Sequence, residues 1–194
     1  MIAPQQLVEQ VLARATVDET IVIVTDASEA SLRWAGNSMT TNGVSTSRRW
    51  TVISIVRSGQ DARVGIVTSA SVDVADIDGV VRSAEISARA ATPASDAMPL
   101  LTGTGTDERW EDSAQRTEIG AFEQLAQDLS MGFDGDDQLY GFAHHQLHTT
   151  WLGTSTGIRR RFVQRPGRSR STASAATPAP GWAPAPRTSP TWPE

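Results

Sequence analysis

The stretch 31–69 constrains the fold more than any other part of the chain. Ser, Thr, Val, Ile and Trp dominate it, and β-branched and aromatic side chains suit the pleated, half-buried surface of a sheet. It therefore reads as a meander of three strands. Asn42-Gly43, which takes positive φ at little cost, and the polar Ser58-Gly59-Gln60-Asp61 mark its two turns. Trp50, Val52 and Val56 alternate with Thr51, Ile53 and Ile55, so 50–56 is apolar on both faces except at Thr51 and Ser54. That is the pattern expected of a central strand covered twice.

The flanking segments supply helices and further strands. Pro4 fits the first turn of a helix whose apolar face is Leu7, Val8, Val11, Leu12 and Ala15. Ile21-Val22-Ile23-Val24 is too short for a helix and reads as a buried strand ending at Thr25-Asp26. After the meander, Ser71 or Asp73 can cap a helix with the stripe Ile77, Val81, Ala84 and Ala88, which Pro93 stops. Residues 92–116 form a long loop with Trp110 as its anchor. Thr117 is then expected to cap a third helix carrying Ile119, Phe122, Ala126, Leu129 and Phe133 on one face. Two more strands follow, at 138–151 and 158–163. The order is one helix, four strands, two helices, two strands. This predicts an α+β fold, with a mostly antiparallel sheet of about six strands and two to three packed helices.

Beyond Val163 there is no Leu, Ile, Val, Met or Phe. Residues 1–163 are thus read as one domain and 164–194 as a disordered tail, because the tail's Arg, Ser, Thr, Ala, Gly and Pro cannot bury a core. The formal net charge is -5. The tail holds four arginines against one glutamate, so the acidic balance lies on the body, which argues against a nucleic-acid surface there. Every basic residue is Arg, as expected of a GC-rich coding sequence. The chain has no cysteine, which excludes disulfides and thiolate zinc sites. No basic leader with an apolar run begins it and no stretch reaches membrane-spanning length, so a soluble, cytoplasmic protein without membrane partners is expected.

Three constellations could carry chemistry. All three histidines fall in His144-His145-Gln146-Leu147-His148, where His144 and His148 have the i, i+4 spacing of a zincin helix, but His145 replaces the glutamate such a site uses as its base. The flanks favour a strand, on which those two rings lie about 13 Å apart and cannot chelate one ion. Gly153-Thr154-Ser155-Thr156-Gly157 could cradle an anion but lacks a phosphate loop's lysine, and a hairpin connection is favoured. Asp134-Gly135-Asp136-Asp137 resembles part of a calcium loop without its later Gly and Glu, and reads as a charged turn. No catalytic, cofactor-binding or metal residue is assigned.

A resemblance adds to this. Leu32-Arg33-Trp34-Ala35-Gly36-Asn37-Ser38-Met39-Thr40-Thr41-Asn42-Gly43-Val44 is followed by Arg63-Val64-Gly65-Ile66-Val67-Thr68-Ser69, which leads into the Ala-rich helix. With Tyr140-Gly141-Phe142 through Thr150-Trp151-Leu152-Gly153-Thr154-Ser155-Thr156-Gly157-Ile158-Arg159, these segments resemble the N-terminal domain of the TldD/PmbA family over about residues 5–161. Characterised members are zinc metallopeptidases acting on peptides, unfolded segments and peptide-antibiotic precursors. The resemblance implies an inactive N-terminal fragment of such an enzyme, a homo- or heterodimer with a TldD/PmbA-type subunit, peptide substrates, and zinc in the full-length protein. The family's His-Glu-x-x-x-His motif is absent here, so no zinc ligand carries over. The alternatives are a non-catalytic partner subunit, a standalone module that adds a peptide strand to the meander edge, and a small metallohydrolase built on the histidines. The resemblance stops near Arg161, where composition changes, as a shift of reading frame would cause.

Overall fold

The structure is a computed structural model that describes residues 2–175 except 60, 72, 97, 104 and 166. Its elements are α1 (Pro4–Arg14), β1 (Glu19–Ala35), β2 (Met39–Ser58), β3 (Asp61–Ser69), α2 (Ile77–Ala90), α3 (Glu123–Phe133), β4 (Asp137–Thr154), β5 (Arg159–Gln164) and β6 (Gly167–Ala175). Five strands lie side by side in the order β3-β2-β1-β4-β5, all neighbours antiparallel, and β6 pairs with the first half of β4. The α+β class is as expected.

The helices pack on one face of the sheet. Even-numbered residues of β1 point to that face, and Val22, Val24, Ala30, Leu32 and Trp34 are buried there. Val24 pairs with Trp50 on one side and Trp151 on the other, two indoles that are 1% and 0% exposed and form the centre of the main core. Each buried N–H is satisfied: Trp50 Nε1 donates to Ser71 O at 2.8 Å and Trp151 Nε1 to Trp110 O at 3.1 Å. α1 buries Leu7, Val8 and Val11, and α2 buries Ile77, Val81, Ala84 and Ala88, the stripes read from periodicity. Burying an aliphatic side chain of this size contributes about 1.5–3 kcal/mol. α2 lies so close to the sheet that a Cβ on Gly65 would sit 2.2 Å from Ala84 O and 2.3 Å from Ala88 N. A second cluster, with Leu32, Trp34, Phe122, Leu129 and Ala143, fills the far end of the same face under α3. Trp110 does anchor the long loop: it is 5% exposed, and its carbonyl also accepts from Gln5 Nε2 at 2.8 Å.

Several expectations are corrected. Four strands before α2 become three, because the run at 21–24 and the start of the meander are one strand, β1. Its polar middle is tolerated since Asp26 takes Arg48 Nε at 2.5 Å and Nη2 at 2.7 Å, and Ser28 Oγ accepts from Thr117 N at 3.1 Å. The first meander turn is not at Asn42-Gly43, which pair with Leu32 and Ser31 inside the ladder. It is at Gly36-Asn37, with φ of 57° and 59° and Ala35 N donating to Ser38 O at 2.9 Å. The Asn37 side chain holds that turn by donating to Phe133 O and Asp137 O and accepting from Leu139 N. The second turn does fall at Gly59, φ 63°. Thr117 caps no helix: α3 is entered through a 3-10 turn at Ile119–Phe122, and Thr117 Oγ1 meets His145 Nδ1 at 2.5 Å instead. Gly167–Ala175 backbone pairs with β4, and residues 176–194, the rest of the segment read as a tail, lie outside the described residues. Finally, strand 50–56 has helices on one face only.

Candidate functional site

The face without helices is built from the odd residues of β1 and the side chains beside them on β2, β3, β4 and β5. At the end of the sheet that carries β3 and β5 it is apolar: Ile21, Ile23, Ile53 and Leu152 are half-buried, while Ile66 and Phe162 are 59% and 65% exposed. Two hydroxyl pairs cross it, Thr25 with Thr150 at 3.0 Å and Thr51 with Thr68 at 2.9 Å. Towards the Gly36-Asn37 hairpin it turns polar. Glu29 lies between His144 and Gln146, with Oε1 3.5 Å from His144 Nδ1 and Oε2 accepting from Gln146 Nε2. The His144 ring meets Phe142 edge-on, centroids 5.2 Å apart. At the hairpin end a shallow depression of about 310 Å³ opens beside Arg33, Thr41 and Phe142.

β4 is a strand through all three histidines, and it separates them. His144 and His148 share the helix-free face, while His145 points to the helix side and is engaged by Thr117. Among the described residues no group of three or more His, Asp and Glu side chains is placed to hold a metal ion. Gly153-Thr154-Ser155-Thr156-Gly157 is the hairpin between β4 and β5, and its polar groups are already used. Ser155 exchanges hydrogen bonds with the Thr20 backbone, Thr154 Oγ1 accepts from Ile158 N at 3.1 Å, and Thr156 Oγ1 donates to Leu101 O at 2.7 Å. Gly153 itself is required by packing, since a Cβ there would sit 2.3 Å from Val8 Cγ1. Asp134-Gly135-Asp136-Asp137 is the exposed turn from α3 into β4.

The surface is an open sheet face, apolar at one end and polar towards the hairpin. Sequence reasoning missed how much of it is open, because which face the helices cover is not encoded in any single strand. Compared with known proteins, its architecture is not new. The chain folds as one part of TldE does. Against TldE from Thermococcus kodakarensis the match has a TM-score of 0.61 at 13% identity and covers 89% of this chain but 43% of that one. A candidate modulator of a DNA gyrase from Thermotoga maritima matches with a TM-score of 0.56 at 12% identity, covering 87% of this chain and 42% of that chain. A similar candidate modulator from Bacteroides thetaiotaomicron gives 0.55 at 10%, covering 88% and 44%. This chain thus spans less than half the length of TldE and of the other two. No family model and no curated protein matches the sequence.

Proposed function

We propose that this chain is the N-terminal part of a TldD/PmbA-type zinc metallopeptidase acting on peptides or unfolded segments, and that it is inactive without a catalytic domain. The observation that carries this reading is the shared fold over nearly the whole of this chain and under half of TldE. The motifs at 32–44, 63–69 and 140–159 point the same way, and the sequence has no His-Glu-x-x-x-His segment. In this reading the domain shapes and positions a chamber whose zinc and general base belong to the missing part, in a cytoplasmic dimer with a second subunit of the same type. The altered composition after Val163 is then an out-of-frame tail.

Two measurements test it. Peptide hydrolysis by the purified chain with added zinc should be absent, and chelator-sensitive turnover would overturn the claim. Sequencing the DNA beyond the stop codon should reveal a His-Glu-x-x-x-His segment in another frame. Its absence would end the truncation reading and leave the tail as a linker.

A further inference from the structure

We propose that the hairpin end of the helix-free face binds the free C-terminus of a peptide, with Arg33 receiving the α-carboxylate and Phe142 packing against an apolar last side chain. Directly opposed residues of neighbouring antiparallel strands point to the same side of a sheet. The register therefore lays Thr41, Arg33 and Phe142 across one row of this face, from β2 through β1 to β4. Arg33 and Thr41 are exposed, Phe142 is half-buried, and the depression of about 310 Å³ opens at this row.

Charge selects the ligand. Among the described residues the Arg33 guanidinium pairs with no carboxylate and makes no hydrogen bond, whereas Arg48, Arg57, Arg89 and Arg159 are each paired with an Asp or Glu. Glu29, about 13 Å away along β1 at roughly 3.3 Å per residue, is already held by His144 and Gln146. β6 places Arg170 opposite Phe142 and Arg168 opposite His144. This end of the face is therefore rich in cations, although the chain as a whole has a formal net charge of -5. A guanidinium presents a planar fork that takes a carboxylate through two parallel N–H···O bonds.

The surroundings favour a chain terminus over a phosphate or an internal acidic side chain. Arg33 pairs with β2 on one side and β4 on the other, so its backbone belongs to the ladder and forms no amide nest of the kind that cradles phosphate. The row lies two residues before β1 ends at Ala35, where the face gives way to the Gly36-Asn37 turn, so an extended chain lying along β1 stops here. Gly43 opposite Ser31 and Ser47 opposite Ala27 leave low ground on β1 and β2 for the preceding residues, beside the taller His144 and His148 of β4. Phe142 then sets an apolar wall next to the charge, which suits a terminal residue such as Leu. The inference rests on the peptidase reading only for the choice of a peptide over another carboxylate.

The test uses the full 194-residue chain without zinc, so that it reads binding and not turnover, and its failure is separate from failure of the peptidase reading. Calorimetric titration with a short unstructured peptide ending in Leu should give saturable binding with a Kd of about 1 mM or tighter. Amidating its C-terminus should weaken binding about tenfold or more, since the charge-assisted pair is lost. Arg33→Gln should remove the difference between acid and amide, and Arg33→Lys should keep part of it. Arg49→Gln, at an exposed arginine of the same face about 26 Å along the strands, should change nothing. Phe142→Ala should reduce the preference for Leu over Gly at the last position. Unchanged circular dichroism verifies that the variants fold. Absence of saturable binding, an amide that binds as well as the acid, or an Arg33→Gln protein that still distinguishes the two would each overturn the proposal. So would an amidated peptide with internal Glu, or inorganic phosphate, that binds Arg33 as tightly as the free C-terminus.

Discussion

The two halves of β2 belong to one strand and have opposite surroundings. Residues 50–58 lie between β1 and β3 with α2 across one face, and Trp50, Val52 and Ser54 are buried there. Among the described residues, 39–49 pair with β1 alone, and Val44 is 49% exposed. Backbone conformation is the same in both. What differs is how many other elements arrive, so burial, tolerance to substitution and the capacity to take a partner all follow from neighbours rather than from the strand.

The comparison is broken most strongly by truncating its buried anchor. Trp50→Ala should cost about 3–5 kcal/mol, the range for a buried large aromatic, whereas Val44→Ala in dilute solution should change stability by less than about 0.5 kcal/mol. Urea unfolding of both variants measures this, and similar losses would mean that the outer half is as covered as the inner one.

Glycines give a sharper version. Gly65→Ala forces a methyl into the α2 backbone at Ala84 and Ala88 and should destabilise by about 1–3 kcal/mol through overpacking. At Gly43 a Cβ meets nothing within 4 Å. Gly43→Ala should therefore be neutral or stabilise by up to about 1 kcal/mol, because it removes freedom from the unfolded chain. Thermal midpoints of the pair decide it.

The smallest effect expected is a pH dependence at α2, the helix that covers the inner half. Burial of Glu85 on α2 works to raise its pKa, but this is outweighed by hydrogen bonds from Thr16 N at 2.6 Å and Thr16 Oγ1 at 2.8 Å and by the Arg89 guanidinium, so the pKa is held below the usual 4.5. A depressed carboxylate stabilises the fold fully above its unfolded value and loses that contribution as pH falls through the folded one. Glu85→Gln should cost about 1 kcal/mol at pH 7 and nearly nothing well below pH 4. Urea midpoints at the two pH values test this; an equal deficit at both would rule out the linkage.

Local chemistry was enough to place the three helices, the buried stripes of α1 and α2, the strand through His144, His145 and His148, the hairpin at 153–157 and the anchoring role of Trp110. These depend on side-chain period, on Pro and Gly, or on one large apolar residue in a polar loop, all of which act within a few residues. It was not enough to place the first turn. Asn42-Gly43 and Gly36-Asn37 both suit positive φ, and the choice is made by Asn37, whose side chain binds Phe133, Asp137 and Leu139, about a hundred residues away. The same holds for the fusion of two expected strands into β1, where Asp26 and Ser28 stay in the sheet because Arg48 and Thr117 reach them. Alternation along a strand determines that it has two faces. Only the packing of α1, α2 and α3 onto one of them decided which face is core and left the other face, and the outer edge of 41–49, to solvent, because coverage is a contact between segments distant in sequence.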